Sequence, residues 1–283
     1  MRRTHHISLA AWGWQLVAGG LALLFVLPLY WLFTSALRPA GSPPPRTVEW
    51  FPYPATLTNF QRIFELAPMG QYFLNSLIVA SLAVPLTLLT ASLAGFAMCR
   101  AAVPIQRSLL LFSIVLLLIP TAALWLPRYI LFARLGLLDT WLPLLAPTLM
   151  GSNALYVLLF YWSFRRISPE LFDAARLEGS STLNLWWHIG MPLVRPTSLV
   201  VLILSFLSYW NDFLMPFLYL KSESRYLLPV GISLLQQMDT TQFPLLLAGA
   251  VIMTVPALVL FWAVQHAFWY EGRFSEIAHT DEV

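Results

Sequence analysis

Residues 12–37 read WGWQLVAGGLALLFVLPLYWLFTSAL and contain no charged residue. A bilayer core of about 30 Å is crossed by about 20 helical residues at roughly 1.5 Å each, so this stretch is long enough to span it. In a soluble protein, a helix that is apolar on every side would have to lie at the centre of a large core. We therefore predict that this stretch spans a membrane.

The rest of the chain has the same character. Of its 283 residues, 59% are hydrophobic and only 10% are charged, whereas soluble domains carry about 25% charged residues. Six apolar helices in a chain of this length leave too few residues for a water-facing shell. The sequence therefore predicts an all-α integral membrane bundle, a single domain over residues 1–283. About six spans are expected, at residues 12–37, 75–99, 108–132, 140–164, 197–220 and 244–270.

The remaining composition excludes several function classes. The 16 basic residues are scattered between the apolar blocks, which indicates loop anchors and no nucleic-acid surface. The single Cys99 cannot form an intrachain disulfide, and no Cys/His cluster suggests a metal. The sequence contains neither a G-x-x-x-x-G-K-[ST] phosphate loop nor an HExxH or GxSxG motif, so it indicates no enzyme.

A long polar stretch follows the fourth block. Residues 167–196 read ISPELFDAARLEGSSTLNLWWHIGMPLVRP. Ser168 can cap a first short helix, which stops at Gly179. Its Leu171, Ala174 and Ala175 fall at i, i+3 and i+4 and form a narrow apolar stripe. Ser180 or Ser181 can cap a second helix, which is expected to end before Pro192. On helix signals alone, an amphipathic loop on the membrane surface explains this stretch equally well.

The same stretch resembles the EAA loop of the permease subunits of ABC importers. Asp173 and Glu178 replace the usual Glu and Asp of that pattern, and Ser180 stands where Ala is common. Over the whole chain the sequence is similar to maltose-type carbohydrate permeases with six spans. The resemblance is carried by NDFLMPF in the fifth block and by IPTAALWLPRYILFARLGLLDT. In the loop it is carried by Asp173, Ala174, Ala175, Glu178, Gly179, Ile189, Met191, Pro192 and Pro196.

This resemblance implies a transmembrane channel-forming subunit of an ATP-driven importer, in a bacterial-type plasma membrane with both termini cytoplasmic. It implies three protein partners: a cytoplasmic ATPase dimer that binds ATP and Mg²⁺, a second permease subunit and an extracellular solute-binding protein. The chain itself would hold no cofactor. The loop would form a helix that couples the ATPase to the spans, with contacts from Glu170, Asp173, Ala174, Ala175, Glu178, Gly179 and Pro192.

A candidate substrate path lies in the fifth block. An acid at membrane depth is costly and should face the bundle interior or a water-filled cavity. Aromatic rings beside polar groups suit a sugar, but the same residues can instead join helices or cap a bend before Pro216. The candidates are Tyr209, Trp210, Asn211 and Asp212.

Other functions stay open at this point. An importer of a non-sugar solute, such as a polyamine or a glycerophosphodiester, would share the loop. An ion-coupled secondary transporter would show more intramembrane charges and an internal repeat of broken helices. A membrane-embedded enzyme is a third alternative.

Overall fold

The structure is a computed structural model that describes residues 9–45, 47, 49–149, 153–238 and 243–280. The regular elements of these residues are all helical, as predicted. Short 3-10 turns lie at Thr121–Leu124 and Glu223–Arg225, and a π-helical segment lies at Leu185–Gly190. The α-helices are α1 Leu9–Ala36, α2 Thr58–Leu66, α3 Met69–Arg100, α4 Val103–Leu118, α5 Trp125–Arg134, α6 Leu142–Leu149, α7 Ala154–Arg165, α8 Pro169–Leu177, α9 Thr182–Asn184, α10 Met191–Leu193, α11 Arg195–Trp210, α12 Leu214–Tyr219, α13 Leu228–Met238 and α14 Phe243–Thr280.

Four helical stretches among the described residues are long and apolar enough to cross a membrane. Two bent helix pairs raise the number to six if each pair is one span. The all-α membrane fold is thus confirmed, and the first, second and sixth predicted spans match α1, α3 and α14. The fourth predicted span corresponds to α6 and α7, and its residues 150–152 lie outside the described part of the chain.

The third predicted span, 108–132, is wrong as a continuous helix. The helix α4 ends at Leu118, and α5 leaves the break at 90° to it. Pro120 explains the break, because it has no N–H to continue the ladder and it forces the residue before it into extended backbone. Ile119 has φ −74° and ψ 119° accordingly.

The fifth predicted span, 197–220, is also divided. The helix α11 ends at Trp210, and α12 begins at Leu214. The Asp212 carboxylate accepts a hydrogen bond from the Met215 N–H at 3.2 Å, so it caps the new helix. A polar residue able to satisfy free N–H groups therefore restarts the helix where the prediction assumed an unbroken one.

The chain contains two compact units, residues 1–68 with 232–255 and residues 69–231 with 256–283. No observation tests the single-domain prediction, which stays a prediction. In the first unit, α2 lies across the end of α1. The buried Asn59 amide donates to the Ala36 and Arg38 carbonyls at 2.9 and 2.6 Å, which satisfies groups left free by the helix end. Ala36 packs with Ala248 and Val251 of α14.

In the second unit, α3 is the central helix and packs against α4, α6, α7 and α11. Its contact with α7 depends on Gly95, where an added Cβ would lie 2.7 Å from the Phe160 Cβ and 2.8 Å from the Tyr161 nitrogen. Without interhelical hydrophobic driving force in lipid, helices associate by close packing of this kind. The α3–α7 pair forms the scaffold on which both candidate sites are built.

Candidate functional site

The first candidate site is the α8–α10 segment, residues 165–196. Pro169 occupies the first turn of α8, where its missing N–H costs nothing. Ser168 is the N-cap residue, but its hydroxyl does not cap as predicted; it donates to the Glu170 carboxylate instead. The Glu170 carboxylate, two residues away, competes with the helix N–H groups for the Ser168 hydroxyl, and this hydrogen bond lowers the pKa of the Glu170 carboxyl.

Phe172 fastens α8 to the rest of the second unit. Its side chain is 2% exposed and packs edge-on against Phe96 of α3, with ring centroids 5.7 Å apart. The Arg100 guanidinium lies 4.8 Å from the centre of the Phe172 ring. Phe172 was not among the predicted site residues, although an aromatic residue in a polar loop indicates a buried anchor.

The opposite face of α8 is exposed. Leu171 and Leu177 are 45% and 91% exposed, and Ala174 lies between them at helical spacing. Of the predicted stripe, Leu171 and Ala174 are exposed, whereas Ala175 is partly buried against the core beside Phe172. The exposed stripe therefore runs through Leu171, Ala174 and Leu177.

Asp173 faces its own subunit. Its carboxylate lies 3.7 Å from an Arg100 nitrogen and 3.9 Å from an Arg176 nitrogen, while 66% of the side chain stays exposed. A cavity of about 340 Å³ opens beside this pair, between the end of α3 and α8. Both interactions are partly solvated, so each contributes little alone.

The turn after α8 follows the prediction. Gly179 has φ +90°, the left-handed conformation that favours glycine at a helix end. An added Cβ there would meet nothing within 4 Å, so the backbone conformation alone requires glycine. Ser181, and not Ser180, caps the second helix by accepting from the Asn184 N–H at 3.3 Å. Glu178 is exposed at the C-terminal end of α8.

The second helix does not end before Pro192, which corrects the prediction. It continues as a π-helical segment through Gly190, and Met191 donates its N–H to the Trp186 carbonyl. A π turn is wider than an α turn, so the proline is accommodated without the clash that an α-helix would impose. Pro192 is exposed within α10, and the chain turns into α11 at 84°.

The second candidate site is a cavity of about 580 Å³ among α3, α4, α5, α6, α7 and α11 of the second unit. Its lining combines apolar side chains with many hydroxyl groups, one amide and one guanidinium. The polar lining residues are Thr87, Thr90, Thr121, Arg128, Thr148, Asn153, Tyr156, Ser208 and Tyr209.

Most of these hydroxyl protons are already committed. Thr87 donates to the Ala83 carbonyl at 2.8 Å, Thr90 to the Thr148 carbonyl at 2.7 Å, and Ser208 to the Leu204 carbonyl at 2.8 Å. A hydroxyl that donates keeps two lone pairs. The cavity therefore offers hydrogen-bond acceptors to a ligand that carries hydroxyl donors.

Only one of the four predicted path residues lines this cavity. Tyr209 does so. Trp210 is 1% exposed and stacks on Phe206, with ring centroids 5.4 Å apart, so it belongs to the packed core. Asn211 is exposed and bonds back to the Leu207 carbonyl at 3.0 Å. Asp212 caps α12, which is the structural role that the sequence left open.

Arg128 lines the cavity, whereas the sequence predicted a loop anchor at the end of the third span. The break at Pro120 turns α5 across the bundle and carries Arg128 to the cavity, half-buried. Hydrophobic periodicity does not show such a turn, but a proline twelve residues into an apolar block indicates a possible break in the helix.

The loop of residues 220–227, called the 220–227 loop below, closes the other end of the second unit. Asn75 donates to the Ser224 and Tyr226 carbonyls, each at 2.9 Å. The Asp139 carboxylate accepts from the Lys221 and Ser222 N–H groups at 2.9 and 2.8 Å. These hydrogen bonds, above all the one from the Ser222 hydroxyl, lower the pKa of Asp139 to about 2.

Arg2, Arg3, Arg46 and residues 281–283 lie outside the described residues.

Comparison with known proteins identifies a family and several relatives. Residues 83–267 match the family described as the binding-protein-dependent transport system inner membrane component. The arabinooligosaccharides transport system permease protein AraQ of Halalkalibacterium halodurans is 31% identical over 90% of this chain and 92% of its own. The sulfoquinovosyl glycerol transport system permease protein SmoH of Agrobacterium fabrum is 27% identical over 83% and 82%.

Among solved structures, a chain of a bacterial ABC transporter involved in import of the acidic polysaccharide alginate superposes with a TM-score of 0.73. It covers 95% of this chain and 99% of that one at 18% identity, which supports the fold. The family model matches most of the chain, and the AraQ relative covers 90% of it. This chain belongs to the family of binding-protein-dependent transport system inner membrane components.

Proposed function

We propose that this chain is one of two permease subunits of an importer that moves a carbohydrate into the cytoplasm. An extracellular binding protein delivers the solute, and a separate ATPase dimer that binds ATP and Mg²⁺ supplies the energy. The observation that carries the proposal is the position of α8. Its Phe172 face is buried in the bundle, whereas Leu171, Ala174 and Leu177 are left uncovered on one side.

The uncovered face of α8 suits a protein partner. An exposed apolar stripe flanked by charged residues is typical of an interaction site. Ala174 keeps the stripe thin enough for a second backbone to approach, and the Gly179 turn sets the direction of the next helix. Because Phe172 links α8 to α3, displacement of α8 by the ATPase would be transmitted to the central helix. The proposed coupling residues are Glu170, Asp173, Ala174, Ala175, Glu178, Gly179 and Pro192.

Orientation follows from this assignment. If α8 meets a cytoplasmic ATPase, both termini are cytoplasmic and the 220–227 loop faces outward, towards the binding protein. The positive-inside tendency agrees, because Arg165, Arg166 and Arg176 lie next to α8.

A carbohydrate cargo is supported by the acceptor-rich cavity and by the relatives. The melibiose/raffinose/stachyose import permease protein MelC of Bacillus subtilis is 26% identical over 89% of this chain. Tyr209 adds an aromatic ring to the cavity wall, as sugar sites often require.

A second candidate cargo is an osmoprotective compound of another class. The osmoprotective compounds uptake permease protein GgtD of Synechocystis is 31% identical over 88% of this chain. Uptake assays that include both solute classes separate the two.

The test is co-expression of the chain with its ATPase, partner permease and binding protein, followed by purification and reconstitution into liposomes. Wild-type complex should take up a labelled oligosaccharide only with ATP. Ala174→Arg should leave the subunit folded but abolish ATPase docking or coupling, because the long cation fills the thin part of the stripe. Ala40→Arg, at an exposed loop position, is the matched control. Normal coupled transport by Ala174→Arg would contradict the assignment of α8.

A further inference from the structure

We infer that Arg128 is an anion receptor in the transport cavity and that the carried carbohydrate bears an acidic group. This inference rests on the proposed function, because it specifies the chemistry of the cargo. Arg128 projects from α5, the helix that the bend after Pro120 turns across the bundle.

The first step is the charge of the cavity. Its described lining contains one guanidinium and no carboxylate. Among the described residues, Arg128 forms no ion pair. A charge held in a low-dielectric site is costly unless a counter-charge or a set of hydrogen bonds compensates for it. An acidic group on the cargo would provide that compensation when it enters.

The second step is hydrogen-bond matching. The hydroxyls of Thr87, Thr90 and Ser208 have spent their protons on backbone carbonyls and present acceptors. Arg128 has five N–H donors and no acceptor. Sugar hydroxyls can donate to the threonine and serine side, and a planar carboxylate can accept two parallel bonds from the guanidinium.

The third step is the support of Arg128. Phe132 lies one helical turn further along α5, and its ring packs edge-on against Tyr219 with centroids 5.5 Å apart. Tyr219 is 1% exposed, and its hydroxyl has no hydrogen-bond partner among the described residues. Asp212 accepts the Met215 N–H at the start of α12, and no ion pair between Asp212 and Arg128 is present among the described residues.

The experiment measures binding to the purified permease–ATPase complex without binding protein, by saturation-transfer difference NMR. The probes are cellobiouronic acid and cellobiose, which differ by one carboxylate. Wild type should bind the acid on the order of tenfold more tightly, the effect of one charge-assisted bidentate contact. Arg128→Gln should remove the preference, so that the variant binds the two sugars with equal affinity. Arg134→Gln, which removes an exposed arginine from the same helix, is the matched control and should keep it.

Equal binding of the two sugars by wild type would overturn the inference and leave a neutral carbohydrate cargo intact. Equal loss of both sugars in Arg128→Gln would overturn it too, since that result assigns Arg128 a structural role, for example pairing with an acid of the second permease. If Arg128→Gln does not assemble, the wild-type comparison still decides, and Arg128→Lys should retain part of the preference. Failure of the proposed function would appear separately, as absence of ATP-dependent carbohydrate uptake.

Discussion

The α8–α10 segment and the 220–227 loop are both connections between spans, yet the second unit holds them in opposite ways. The helix α8 is secured chiefly by the buried Phe172 side chain, with Ala175 partly buried beside it and a partly solvated Asp173–Arg100 pair. The 220–227 loop is secured by hydrogen bonds from α3 and from Asp139. Apolar contacts tolerate sliding because they have no direction, whereas hydrogen bonds lose most of their energy when misaligned. We therefore expect motion at the first connection and rigidity at the second.

The largest effect should come from Phe172→Ala. Removing a buried phenylalanine costs about 3–5 kcal/mol, and here the cost falls on the docking of α8. Amide hydrogen exchange in α8 should accelerate on the order of 100-fold, while exchange in the 220–227 loop stays unchanged.

Leu171→Ala is the control, because it shortens an exposed side chain on the same helix. If α8 exchanged as slowly in Phe172→Ala as in wild type, Phe172 would not be the main attachment of α8.

Asn75→Ala should have a smaller effect at the opposite connection. It removes two hydrogen bonds and takes this partner from the Tyr226 carbonyl, whereas the Ser224 carbonyl keeps a hydrogen bond from the Gln71 amide at 3.0 Å, so the cost is about 1–3 kcal/mol. Exchange should then accelerate in the 220–227 loop and not in α8. Ser81→Ala, which alters an exposed hydroxyl of the same helix, should leave both connections unchanged; acceleration in α8 would show that the two are coupled.

Asp139→Asn tests the ionic part of the 220–227 loop. The pKa of Asp139 is lowered from 3.8 to about 2 in the folded protein, so the charged carboxylate stabilises the fold above about pH 4. That contribution is lost as pH falls from about 4 towards 2. The melting temperature of Asp139→Asn should therefore lie below that of wild type at pH 7, and the two should converge at pH 2. A difference that stays constant over this range would contradict a role for the charge.

The smallest effect should come from Ser181→Ala, which removes the cap of the second helix at a cost of about 1 kcal/mol. Circular dichroism of thermal unfolding can measure it in the purified subunit. Ser180→Ala is the neighbouring control and should be silent. Equal effects of the two substitutions would mean that the cap is not specific to Ser181.

The same comparison explains how far the sequence could predict the molecule. Signals in the α8–α10 segment are local: Pro169 opens a helix, Gly179 ends it, and Ser181 starts the next, so its outline was predictable. The 220–227 loop depends on Asn75 and Asp139, which are distant in sequence, and no local pattern shows that they meet it.

The cavity was predictable in kind but not in place. An acid in the fifth block indicated a polar function at membrane depth. Asp212 instead caps the start of α12, and of the four predicted path residues only Tyr209 lines the cavity. Because of the bend at Pro120, Arg128 lies in the cavity wall, whereas it was expected as an anchor at the end of the third span. Hydropathy detects the length of an apolar block and cannot detect a right-angled turn within it.

Two cavity hydroxyls donate to carbonyls of their own helix, and this has a consequence for membrane insertion. Thr87 and Ser208 each donate to a carbonyl four residues earlier in their own helix. In lipid an unsatisfied polar group costs several kcal/mol, and here the partner is present before any other helix arrives. These two hydroxyls can therefore enter the bilayer already bonded within α3 and α11, and the cavity forms only when the helices later assemble around it.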